Sequence, residues 1–92
     1  MAQLLSAPNI QSKLDGLSGW TLDGKKITTT REFKDFVEAI NFVNRLVEPA
    51  EAAGHHPDIC VSYNKVTIEL TSHDAGGLTD SDFEMAKVVS GL

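Results

Sequence analysis

Between Lys34 and Gly54 apolar residues return every three or four positions, whereas on either side they alternate, and this change of period constrains the chain more than any other feature. Phe36, Ala39, Ile40, Val43, Leu46, Val47 and Ala50 form one stripe, and Lys34, Asp35, Glu38, Asn41, Asn44, Arg45 and Glu48 fall outside it. The pattern predicts one long amphipathic helix that supplies the main core face. Pro49 lacks an amide hydrogen and crowds the carbonyl four residues back, so a kink is expected there, with Gly54 as a left-handed cap.

Ahead of that helix, Trp20-Thr21-Leu22 and the run Lys25 to Phe33 flank Asp23-Gly24, which predicts two antiparallel strands joined by a type I′ turn. Behind it, Ile59, Val61 and Tyr63 alternate with Cys60 and Ser62, and Val66, Ile68 and Leu70 alternate with Thr67, Glu69 and Thr71. A two-residue turn at Asn64-Lys65 would set Tyr63 opposite Val66 and bring both apolar rows to one side of the sheet. Ser6 to Gly16, with Pro8 in a first turn and Ile10 and Leu14 four apart, predicts a short N-terminal helix. A last helix should begin at Thr79, with Asp82 as capping partner and Leu78 packed on Phe83, and end near Ser90. The order α-β-β-α-β-β-α fits an α+β fold, a four-stranded antiparallel sheet with helices packed on one face, with residues 1–92 as a single domain.

Charge and cysteine content narrow the function. Eight Lys and Arg against 13 Asp and Glu leave a net charge of −5, which argues against direct nucleic-acid binding through phosphate contacts. Cys60 is the lone cysteine and has no partner for an intramolecular disulfide, which fits a reducing, cytoplasmic setting. The opening MAQLLSAPNIQSK lacks the features of a secretion signal, and no stretch approaches the ~18 apolar residues of a membrane span, so no membrane partner is expected.

All three histidines fall between His55 and His73, outside the apolar stripes. His55 and His56 follow a helix stop and precede Pro57, which biases His56 towards extended backbone, so the two rings should point in different directions. His73, in Thr71-Ser72-His73-Asp74, leaves the sheet where a side chain can enter a cleft. An ordinary imidazole pKa near ~6.5 suits proton transfer at neutral pH. A metal site could draw on the histidines with Asp58, Asp74 or Cys60, but neither the HExxH nor the paired-cysteine spacing is present, and no metal is expected. Cys60 sits inside a predicted strand with no base beside it, so it is read as a small core or face-lining residue, and Gly76-Gly77 as a turn.

The run Glu51-Ala-Ala-Gly-His55-His56-Pro57, then five residues before Tyr63, nine before His73 and eight before Asp82, resembles the pterin-4a-carbinolamine dehydratase family. Phe33-Lys34-Asp35-Phe36 and Tyr63-Asn64-Lys65-Val66 also look like segments typical of that family, and the resemblance spans nearly the whole chain. It implies dehydration of a 4a-hydroxytetrahydropterin to quinonoid dihydropterin, a step in recycling the pterin cofactor of aromatic amino acid hydroxylases. It also implies a site in which His55, His56 and His73 surround the pterin, with Pro57, Ser72, Asp74 and Ala75 lining it. The acid/base pair is expected to be His73 and His55, in either order, with His56 orienting the ring. Asp82 matches a family position but also caps a helix, and both roles stay open. No cofactor is implied, since the pterin is the substrate.

Pro49, and Gly54 in place of a polar residue ahead of the His pair, depart from the family pattern. The family also includes dimerisation cofactors for a homeodomain transcription factor, so a non-catalytic interaction module is the rival function. Small size and an unpaired sheet edge favour self-association, and the resemblance implies a homodimer or homotetramer.

Overall fold

The computed structural model describes residues 3–92. Helix α1 (Ala7–Asp15) starts where the Ser6 hydroxyl accepts from the Asn9 amide and stops at Gly16. Strands β1 (Thr21–Asp23) and β2 (Lys26–Glu32) follow, then α2 (Phe36–Ala53), β3 (Asp58–Ser62), β4 (Lys65–Leu70) and α3 (Asp80–Ser90). The sheet is antiparallel throughout and its spatial order is β1-β2-β4-β3, so the two hairpins meet through β2 and β4, and β1 and β3 are edges.

The helices cover one face. Ile27 of β2 and Val66, Ile68 and Leu70 of β4 point into it and are fully buried. They meet Ala39, Phe42, Leu46 and Ala50 from α2 and Phe83, Ala86 and Val89 from α3. On the other face Lys26 pairs with Glu69 at 3.0 Å and the Thr30 and Thr67 hydroxyls lie 3.0 Å apart, as cross-strand polar neighbours should. Arg31 is opposite Val66 on the core face, yet its charge is answered: the guanidinium lies 4.7 Å from the Phe42 ring centroid and donates to the Leu92 and Val89 carbonyls at the end of α3.

Three local expectations need correction. In the first hairpin Asp23 pairs with Lys26, so the loop is Gly24-Lys25, and of these two only Gly24 has positive φ (63°). Glycine at the first central position fits a type II′ turn rather than the expected I′. In the second hairpin Ser62 pairs with Lys65, so the loop is Tyr63-Asn64 and not Asn64-Lys65. Asn64 anchors it, exchanging backbone and amide bonds with Phe33 at 2.8 and 2.9 Å, while Tyr63 takes φ 53° and is exposed. Val61 still pairs with Val66 and Ile59 with Ile68, so the apolar rows share a face even though Tyr63 does not join them. In helix α2, which includes Pro49, the buried side is Ala39, Phe42, Leu46 and Ala50, whereas Phe36 and Val47, counted into the expected stripe, are exposed. Phe42, absent from the expected stripe, is fully buried beside Phe33 at 5.1 Å between ring centroids.

Candidate active site

The end of α2 sets the first wall of the site. Gly54 adopts φ 63°, its amide donates to the Glu51 carbonyl, and the His55 amide donates to the Ala50 carbonyl at 3.1 Å. These are the two bonds of a Schellman cap, so the backbone of His55 is fixed by the helix ending. The His55 ring is largely covered and its Nε2 lies 2.6 Å from Asp82 Oδ1. His56, one residue on, is exposed and turns the other way, its Nε2 hydrogen-bonded to Glu51 Oε2. The adjacent rings thus have different partners, as the extended bias before Pro57 predicts.

The second wall leaves the end of β4. The Thr71 hydroxyl donates to the Lys25 carbonyl at 2.6 Å, and an antiparallel bridge between Ser72 and Gly77 closes a tight loop over His73 to Gly76. His73 and Asp74 are exposed on this loop and Ala75 is half-buried. Gly76 makes the return possible with φ 79°.

The third wall is the start of α3. Thr79 is its N-cap, and Asp82 Oδ2 accepts from the Thr79 amide at 2.9 Å, the reach-back bond of a capping box. The same oxygen accepts from the Ser72 hydroxyl at 2.9 Å, and the Ser72 and Thr79 hydroxyls are 2.8 Å apart. Asp82 is 0 % exposed, so it makes no contact with anything in the open cleft. The one carboxylate thus caps α3 and hydrogen-bonds His55.

These walls enclose a cleft of ≈ 670 Å³, within the range of about 300 to 1,000 Å³ usual for small-molecule sites. His55, His56, Ser72, His73, Asp74 and Ala75 all line it. Pro57 does not: it lines a separate apolar groove of ≈ 160 Å³ with Val43, Val47 and Ile59, and His56 borders both spaces. Pro57, expected to line the histidine site, thus reaches the groove next to it, on the far side of His56. Ser81, from the first turn of α3, also lines it, and Glu51 holds His56, two placements that no local sequence pattern assigns. The nearest signal for the second was a Glu in the last turn of a helix, five residues before a His. Among the described residues no three His, Cys, Asp or Glu side chains are grouped to hold a metal ion. Chemically, the cleft offers imidazoles from two separate elements to one bound molecule, so one proton can be delivered and another taken up at different positions.

The family model described as Pterin 4 alpha carbinolamine dehydratase matches residues 3–92. A protein of Nostoc sp., provisionally named a pterin-4-alpha-carbinolamine dehydratase, is 68% identical over 90 residues, covering 98% of this chain and 97% of its own. A similarly named protein of a Cyanothece species is 63% identical over 92 residues, covering 100% of this chain and 95% of its own. Among solved structures, a transcriptional coactivator/pterin dehydratase from Brucella melitensis superposes with a TM-score of 0.90 at 34% identity, covering 95% of both chains. A pterin dehydratase-like RuBisCO assembly factor of the alpha-carboxysome shares the fold, with a TM-score of 0.67 at 22% identity over 79% of this chain and 87% of that one.

Proposed function

The chain belongs to the pterin 4 alpha carbinolamine dehydratase family, and from that premise we propose that it dehydrates a 4a-hydroxytetrahydropterin to quinonoid dihydropterin by histidine acid/base catalysis. The observation that carries this reading is the shared cleft: His55 and His73 come from different elements and face one space large enough for a bicyclic ring. The carbon–oxygen bond at C4a breaks as one imidazolium protonates the departing hydroxyl. A ring nitrogen supplies the electron pair, and its proton passes to the other imidazole, so one water leaves and the protein's proton count is restored. General acid/base help of about 10² to 10⁴-fold corresponds to roughly 3 to 5 kcal/mol of barrier.

In this reading His55 and His73 are the catalytic pair and His56, held by Glu51, orients the ring. Ser72, Asp74 and Ala75 form the wall beside the substrate, while Asp82 acts through His55 as a positioning residue. The pterin is the substrate and no further cofactor takes part. The same reading puts the protein in the cytoplasm, in a pathway that recycles the tetrahydropterin of an aromatic amino acid hydroxylase, and makes it a homodimer or homotetramer.

One structural neighbour favours a second reading. The Brucella melitensis protein is named a transcriptional coactivator as well as a pterin dehydratase, and a non-catalytic interaction module would share the fold. The decay of enzymatically generated 4a-hydroxytetrahydropterin, followed by ultraviolet absorbance, separates the two. Acceleration by the wild type that is largely lost in His73→Ala is expected. Folded wild-type protein that leaves the spontaneous rate unchanged would move the interaction module to first place.

A further inference from the structure

We infer that Ser72, read from sequence only as a lining residue, is the positioning residue that couples the two catalytic histidines: its hydroxyl orders the carboxylate behind His55 while its backbone closes the loop that carries His73. The pairing of His55 with His73 as acid and base rests on the proposed dehydratase function; the hydrogen-bond geometry does not.

The direction of the network follows from counting donors. A carboxylate only accepts, so the bond between Ser72 Oγ and Asp82 Oδ2 takes the single Ser72 proton. Thr79 Oγ1, 2.8 Å away, must then donate to Ser72. The chain runs Thr79 to Ser72 to Asp82, and Oδ2 also takes the Thr79 amide. Oδ1 is left for His55, which has to present Nε2 with its proton. A neutral ring protonated at Nε2 carries its lone pair on Nδ1, so the remaining nitrogen of His55 is an acceptor.

The backbone of Ser72 has an equally specific task. Its amide donates to the Gly77 carbonyl at 3.0 Å, and its carbonyl receives the amides of Ala75 and Gly76 at 3.1 and 3.0 Å. His73 lies inside the loop these bonds close. A shift of Ser72 therefore moves His73 directly and His55 through Asp82. By the same count, Ser72 has no hydroxyl proton left for a bound molecule, so it cannot be a substrate donor while the network is intact.

The test uses the full chain with ¹⁵N-labelled histidine, as wild type, Ser72→Ala and Ser72→Thr. Ring-nitrogen shifts at about pH 8.5, well above an ordinary imidazole titration near ~6.5, report the His55 tautomer without any ligand. Wild type should show the Nε2-protonated form alone. Ser72→Ala leaves Asp82 Oδ2 with the Thr79 amide alone, so the carboxylate can swing off His55, whose ring then populates both tautomers; the variant should lose about 10-fold or more in kcat with KM within about 2-fold, since the lost hydroxyl had no proton to give a bound molecule. Ser72→Thr, which keeps the hydroxyl, should restore both. An unchanged tautomer in Ser72→Ala overturns the inference, as does a raised KM with kcat intact, which would make Ser72 a substrate contact. If wild type proves inactive, the dehydratase reading fails, and the ring-nitrogen spectra alone decide the role of Ser72.

Discussion

Asp82 has both oxygens engaged and no exposed surface, so a change of one atom there is read out by every partner. In Asp82→Asn the side-chain oxygen stays with the two donors, Ser72 and the Thr79 amide, and the new NH2 faces His55. His55 Nε2 must then accept, which moves its proton to Nδ1 and turns the open nitrogen from acceptor to donor. The expected result is a fall in kcat of about 10² to 10⁴-fold, the contribution of one acid/base group. Urea unfolding should show a smaller penalty, about 1 to 3 kcal/mol, for the disturbed buried bonds. A kcat close to wild type would refute the claim that Asp82 sets the His55 tautomer. Sequence showed half of this residue: Thr79 and Asp82 at capping-box spacing were legible because a cap is local. The other half was not, because His55 lies 27 positions away and only the packing of α3 against the end of α2 joins them.

Helix α2 was legible as an element because its apolar period persists over 18 residues, and so was its end, since Gly54 takes the left-handed conformation expected of it. Its rotation was less so. Counting Phe36 and Val47 into one stripe hid Phe42, and only the sheet beneath α2 decides which apolar residues face inward. The hairpin registers were missed for a related reason: each turn slid by one residue, to the pair whose first member holds positive φ, Gly24 or Tyr63. Two substitutions test α2 itself. No Cβ clash awaits an alanine at Gly54, so Gly54→Ala should cost only the left-handed backbone penalty, about 1 to 2 kcal/mol in urea unfolding. A cost near zero would mean the cap rearranges freely. Pro49→Ala should do the opposite and stabilise by about 1 to 2 kcal/mol, since it returns a donor to the helix interior and removes a steric conflict, less what proline gives by stiffening the unfolded chain. Loss of stability in that variant would show that the proline ring packs where it is needed.

At the scale of the molecule, the single chain leaves one apolar side of α2 open. Phe36, Val37 and Val47 are exposed on it, Val43 is half-buried, and the groove beside Val47 runs to Pro57 and to Ile59 on β3. β3 is also an edge strand, with one side unpaired. Helix stripe and strand edge meet in one surface, the form a second copy of the chain could cover by adding a strand and burying valines at about 1.5 to 3 kcal/mol each. Each chain carries −5, so such a contact works against charge repulsion, and added salt should strengthen it by screening. Because His56 borders both the groove and the cleft, a contact made in the groove would lie beside the site, and weakening it should be felt there. Light scattering at micromolar concentration should give a multiple of the 10.0 kDa chain that persists or grows from low to high salt. Val47→Lys combined with Ile59→Lys should reduce it to the monomer with far-ultraviolet circular dichroism unchanged. A wild-type protein that is monomeric at both salt concentrations would remove self-association as the purpose of this surface.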